Sequence, residues 1–247
     1  MKKNILIVFA LLLTILSSCY VAPRAVFRLK PTTDNKVWLF GKEYVTSSND
    51  SVEIALAFDR VMGTNYVFKV EIINRTSRNM LIQPERCFYV AEIAQVNGVR
   101  TDMVWAIDPE NEILKVDKQM SRTFASYKST QGTYSFLSVL DLVSDVATIG
   151  SKKSDEEIQA EKLDDVEQEL AELNNEIRYE KKSSSLNDIR DEWEFKALRK
   201  TTLPGGYGIQ GRIYFPVYPG VQSIEIHLAL DRFVFKQKFQ QIVEEID

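Results

Sequence analysis

The sequence predicts an α+β protein in which an antiparallel two-sheet β-sandwich is interrupted by a helical arm. Three observations carry this. Short runs with period-2 alternation of apolar residues occur in both the first and the last parts of the chain. Residues 132–202, between them, switch to a helical period. Turn signals such as Asn97-Gly98 and Pro204-Gly205-Gly206 punctuate the strand blocks. With 45% hydrophobic and 27% charged residues, the 247-residue chain has the balance of one globular domain with an elaboration. That balance excludes a disordered, collagen-like or multi-pass membrane protein.

The chain begins with a leader. Lys2 and Lys3 precede an apolar run from Ile5 to Leu16, which ends in Leu16-Ser17-Ser18-Cys19. A basic start, a short apolar centre and small residues at the end are the parts of a signal peptide. The run is shorter than the roughly 20 residues that cross a bilayer as a helix. Its ending resembles the lipobox of bacterial lipoproteins. That resemblance implies cleavage after residue 18, thioether lipidation of Cys19 and acylation of the new N-terminus. The residues also fit an ordinary secretory signal or a short uncleaved anchor. Residue 20 is tyrosine, not the aspartate that retains lipoproteins in the inner membrane, so the resemblance further implies the outer membrane, with the protein facing the periplasm. Several acyl chains make such anchoring effectively permanent. Loss of Lys2 and Lys3 with the leader moves the formal net charge from −4 to −6, which does not attract nucleic acid. Cys87 would then be the only free thiol, and its strand-like setting predicts a buried structural residue.

Residues 19–36 contain Pro23, Pro31 and a Thr-Thr-Asp-Asn cluster and read as a semi-extended tether. The sandwich is expected from residues 37–131 and 203–247. Val52, Ile54, Leu56 and Phe58 alternate along one strand, and Tyr66, Phe68, Val70 and Ile72 along the next. Met80-Leu81-Ile82, Cys87 to Ile93 and Arg100 to Ile107 continue the pattern, and Val37 to Tyr44 and Ser121 to Tyr127 are further strand candidates. After the Pro204 turn, Ile209 to Tyr214, Ser223 to Leu230 and Phe233 to Phe239 close the sheets.

The arm, residues 132–202, reads as two or three helices. Phe136, Leu140, Val143 and Ala147 form one stripe, and Ser154-Asp155-Glu156-Glu157 is a capping box. Leu163, Val166, Leu170, Leu173 and Ile177 follow with alternating spacings of three and four, a short coiled-coil-like seam. Lys181-Lys182-Ser183-Ser184 is expected to break this helix, and Leu186, Ile189, Trp193 and Ala197 to line a third. Residues 151–200 hold fifteen acids and ten bases, so the arm carries most of the negative charge. The seam is the expected partner surface.

The passage from Tyr66 to Pro84, answered by Leu203-Pro204-Gly205-Gly206 and Gly211-Arg212-Ile213-Tyr214-Phe215-Pro216, loosely resembles uncharacterised Ig-like sandwich domains of bacterial lipoproteins. The likeness covers about half of the chain after the leader and implies an Ig-like sandwich with a binding or scaffolding role.

No residue set names a reaction. His227 lacks a nucleophile, a phosphate loop or metal-ligand spacing beside it. Asp108-Pro109-Glu110-Asn111-Glu112 bunches oxygen ligands but equally starts a helix. Glu71 and Glu225 would serve a glycosidase only if the fold paired them. Asp50-Ser51-Val52 and Asn74-Arg75-Thr76 match short glycosylation patterns, the second of which is first a turn. Trp38, Phe40, Tyr44 and Trp105 are the aromatics that a glycan or small-molecule site would use. The expectation is a lipid-anchored, non-enzymatic envelope adaptor without a cofactor, held to the membrane through Cys19 and bound to an envelope protein; a ligand-binding lipoprotein is the alternative.

Overall fold

The computed structural model describes residues 26–95, 98–147 and 155–244. Residues 1–25, which include the expected leader and Cys19, and residues 96–97, 148–154 and 245–247, which include Asn97 and the Ser154 of the expected capping box, lie outside them. Among the described residues, twelve strands form two antiparallel sheets that enclose one apolar core. The smaller sheet has the order β10–β5–β4–β3–β2, with β2 at Lys36–Leu39, β3 at Lys42–Ser48, β4 at Val52–Met62, β5 at Asn65–Asn74 and β10 at Gly208–Pro216. The larger sheet runs from β1 (Val26–Pro31) through β12 (Phe233–Glu244) to β11 (Val221–Leu230). Two shorter strands then share the far edge of β11. Phe88–Gln95 (β7) pairs along its first part and carries the hairpin partner β8 (Gly98–Trp105), while β6 (Met80–Ile82) meets Leu230 and carries β9 (Thr201–Leu203).

The alternation in the sequence fixes which side chains face inward. Ile54, Leu56, Phe68, Val70 and Ile72 from one sheet meet Ile224, Ile226, Leu228 and Phe239 from the other, and all are essentially inaccessible. Phe68 contacts Phe239 edge to face at 5.2 Å, and Tyr89 contacts Phe215 at 5.6 Å. Cys87 is buried, and burial pushes its thiol up to about 12.

Several expectations need correction. The tether is shorter than residues 19–36, because β1 pairs with β12 and buries Leu29 in the core. Val37 to Tyr44 is two strands, reversed at Phe40-Gly41. Ser121 to Tyr127 is not a strand. It belongs to α1, a helix from Pro109 to Ala147, so the helical part starts well before residue 132. The Asp108 carboxylate caps α1, accepting the Glu110 backbone N–H at 3.0 Å, and also takes the Asn111 side-chain amide at 2.7 Å, with Pro109 in the first turn. The oxygen-rich Asp108 to Glu112 stretch is thus a helix start. Lys181-Lys182-Ser183-Ser184 does not break the helix either: α2 runs unbroken from Asp155 to Asp191, so the described residues of the arm form two long helices rather than three. A π-helical turn at Glu192–Lys196 ends it.

Asn74 joins the Tyr66 to Pro84 passage to the Leu203 to Gly206 turn. Its buried side-chain amide donates to the carbonyls of Arg78, Leu203 and Pro204 at 2.7, 3.1 and 3.2 Å, and its oxygen accepts the Thr76 N–H and hydroxyl. Gly205 has to be glycine, because a Cβ there would enter the Thr76–Ser77 backbone. Asn74→Ala takes the side-chain donor from the buried Leu203 carbonyl, while the Arg78 and Pro204 carbonyls keep the Thr76 hydroxyl and the Tyr207 N–H, and we expect a loss of about 1–3 kcal/mol. A urea midpoint that falls with an unchanged slope will register it.

Candidate functional site

Both crossings between sandwich and arm are made on β10. On entry the Ile107 N–H donates to the Tyr214 carbonyl, and on exit the Leu198 N–H donates to the Arg212 carbonyl, both at 2.8 Å. These bonds cover an edge that would otherwise be open. Gly211 allows the approach, since a Cβ at this position would lie 2.8 Å from the Leu198 Cα and N.

The π turn aims Glu192 and Trp193 together at the outer face of the smaller sheet. Trp193 lies 4.4 Å from the Tyr214 ring in a small apolar cluster with Val67, Met62 and Ile113. Beside it, Glu192 Oε1 accepts from Arg212 at 2.7 Å, from the Tyr214 hydroxyl at 2.8 Å and from Arg60 at 3.1 Å, while Oε2 takes Lys196 at 3.0 Å. Asp59, with its side chain almost fully buried, completes the group with Lys42, Arg60 and Arg212. Burial alone would push Glu192 up, but the hydrogen bonds from Tyr214 and Lys196 and the Arg212 and Lys196 charges hold it below its ordinary value. For Lys42 burial and the nearby Lys69, Arg60 and Arg212 all act downward. The donors saturate both carboxylates, so this is a joint between arm and sandwich. Sequence reading missed it, because its members come from β3, β4, β10 and the π turn and no linear spacing unites them.

Beyond its base, α1 packs chiefly on α2 and the π turn. Its inward positions are Ile113, Val116, Met120, Thr123, Tyr127 and Thr130, at spacings of three and four. Those of α2 are Ala171, Asn175, Tyr179, Ser183, Leu186 and Arg190. Tyr127 stacks on Tyr179 at 4.3 Å, and Arg190 reaches Asp117 at 3.0 Å. The expected seam residues Leu170, Leu173 and Ile177 are not in this interface, and each remains about half exposed, at 52, 51 and 52%. The reason is helical phase. Leu186 is buried at the base, and Ile177, nine residues earlier on the same unbroken helix, sits about 180° around it at 3.6 residues per turn. A groove of about 560 Å³ runs alongside, lined by Leu173, Tyr127, Glu169, Glu172 and Glu176. The side chains of Leu163 and Val166 lie outside the described residues.

The four candidate ligand aromatics do not converge. Phe40 and Tyr44 share a groove of about 400 Å³ with Phe195, Lys69, Lys196 and Arg212, on the outside of the smaller sheet. Trp38 lines a different groove, of about 650 Å³, with β1, Phe58 and Val61. Trp105 is on the larger sheet, where it and His227 flank the Phe88 ring at 5.1 and 4.4 Å. Phe195, which is 75% exposed, is not singled out by the sequence, because it lies off the face Leu186, Ile189, Trp193 and Ala197 of the expected third helix.

At the β2–β3 turn, Phe40 and Gly41 have φ of 51° and 72°. This is the two-residue hairpin geometry that favours Asn-Gly, and a left-handed non-glycine costs about 1–2 kcal/mol. Phe40 is nevertheless 95% exposed and gains no burial in return.

His227 Nε2 meets Glu225 Oε1 at 2.7 Å on the outer face of the larger sheet. Glu71 is on the outer face of the other sheet, so the sandwich separates it from Glu225 and the glycosidase pairing is lost.

Glu192→Gln should destabilise the protein by about 3 kcal/mol at neutral pH, the cost of breaking a buried charge group. A carboxyl held below its ordinary value stabilises fully above about 4.5, and this contribution drains away as pH falls below that. The gap between wild type and variant in urea midpoint should therefore close in acid.

No protein-family model, no curated protein and no solved structure matches the chain.

Proposed function

We propose that this is a lipid-anchored cell-envelope protein, held through Cys19 in the outer membrane and facing the periplasm, that works as a non-enzymatic adaptor. Its sandwich is the base and its arm the docking element. The observation that carries the reading is the apolar stripe Leu170, Leu173 and Ile177, turned away from α1 on a helix with its base fixed by Glu192 and Trp193. Glu169, Glu172 and Glu176 flank it. The complementary partner is an envelope protein that presents an amphipathic helix with an apolar stripe and basic edges. The joining of the Asn74 turn to Pro204-Gly205 supports an Ig-like relationship for the sandwich.

A second reading, a binding site for a glycan or small molecule, is favoured by the groove that gathers Phe40, Tyr44 and Phe195 beside three cations. A thermal-shift screen separates it from the first, since a ligand raises the melting point by mass action.

For the adaptor, the test is capture of the natively anchored protein from solubilised membranes, beside Leu170→Ser/Leu173→Ser/Ile177→Ser. The triple variant should keep its unfolding free energy to within about 1 kcal/mol, since surface changes cost little, and should lose a stoichiometric partner. Capture of the same partners by both proteins would remove the arm from the proposal.

A further inference from the structure

We propose that the β2–β3 hairpin tip dips into the lipid surface, seating Phe40 among the acyl chains beside the point where the chain leaves the membrane. The inference rests in part on the anchoring at Cys19 proposed above, and its test separates the two.

Register places the tip at the entry end of the sandwich. Ser47 on β3 bonds Gln237, the Phe68 ring lies on Phe239 and the Tyr66 hydroxyl bonds Gln241 at 2.7 Å, so moving from Ser47 towards Gly41 follows β12 from Gln237 towards Glu244. Glu244 pairs with Val26, the first described residue. Gly41, Gly63 and Phe27 accordingly line one groove. Only six residues separate Val26 from Cys19, a reach of at most about 25 Å for extended chain.

This end is unusually apolar. Phe40, Trp38, Leu39, Phe27, Val243 and Val99 are exposed by 95, 64, 47, 41, 54 and 66%. Strand pairing puts Val243 opposite Phe27, and Val99 opposite Ala94 beside the Val221 end of β11. Phe40 is the most telling. Its backbone conformation favours glycine or asparagine, and its side chain touches too little of its own fold to compensate, so what offsets the cost has to come from outside the chain. An indole and a phenyl ring on a protruding turn suit the interface of a bilayer, where aromatic residues concentrate. The lipid surface is the one partner whose position is fixed by the chain itself.

The test uses the full chain in vesicles of phosphatidylethanolamine with a minority of phosphatidylglycerol, their acyl chains brominated. A single dye is placed on Phe40→Cys or, at the far end of the sandwich, on Asn79→Cys. Cys87 stays unlabelled because it is buried, and in any preparation without acyl mass on Cys19 the dye is read in a Cys19→Ser background. Quenching should be several-fold stronger at position 40 than at 79. Equal quenching at both positions, or none at either, overturns the proposal. Phe40→Gly suits the turn and keeps the fold, so its melting point should match or exceed that of wild type while quenching of Trp38 fluorescence, read in a Trp105→Phe background with buried Trp193 as a constant, falls. A melting point that drops instead would mean that Phe40 serves the fold, and the proposal fails. The mass of the N-terminal peptide reports the anchor independently. Acyl mass on Cys19 without quenching at position 40 leaves the anchor and removes the tip; quenching without acyl mass does the reverse.

Discussion

The edge of β10 is the constraint on which the arm depends. A strand at the border of a sheet offers unpaired N–H and C=O groups, and here the two roots of the arm occupy them, at Tyr214 and Arg212. The approach is close enough that Gly211 has no room for a Cβ. One strand thereby closes the smaller sheet and holds both ends of a helical hairpin. A small error in this contact would be carried along α1, whose 39 residues span about 58 Å at 1.5 Å per residue.

The joint beside that edge combines an aromatic contact with buried charge, and the two differ in what they specify. Trp193 on Tyr214 supplies apolar burial with loose angular demands. Glu192 and Asp59, shared among Arg60, Arg212, Lys42 and Lys196, tolerate only geometries in which every donor is met, because a buried charge without a partner costs several kcal/mol. That second demand fixes the rotation of α2 about its axis. Since α2 is unbroken, the rotation set at Glu192 also sets where Leu170, Leu173 and Ile177 point. The site that orients the stripe is thus some fifteen residues away from it, on the sheet.

Much of this was legible in the sequence wherever a single local period governed. The strands of β4, β5 and β11 follow from alternation alone, since both sheets bury one face and the pattern of Ile54, Leu56, Phe68 and Ile224 admits one register. Reading failed where polar residues occupy packed positions. Thr123 and Thr130 turn inward on α1, which hid its helical period and made Ser121 to Tyr127 resemble a strand. Lys181 to Ser184 looked like a break because Ser and Lys are common at helix ends, yet Ser183 simply faces the partner helix. The tether is overestimated because the buried described side chains of β1 are Leu29 and Pro31, and a proline reads as linker, so no periodic signal shows. At the candidate site, the apolar residues of α2 were visible but their direction was not, because direction depends on the continuity of a helix and on charge contacts far apart in the chain.

The two exposed apolar surfaces have different physical origins, and this bears on how each is read. The stripe on α2 is exposed because helical phase leaves it no alternative once Leu186 and Trp193 are docked; any long apolar helix fixed at its base would do the same. Its significance therefore depends on how many apolar positions coincide there, three of them within eight residues. Phe40 is exposed at a position where the backbone itself opposes the residue, so its presence needs no company to be informative. A surface that arises from geometry can be a by-product, whereas one maintained against a local cost requires a compensating contact outside the fold. By that reasoning the hairpin tip is the stronger pointer to an interaction, although the arm offers the larger area and the more specific shape.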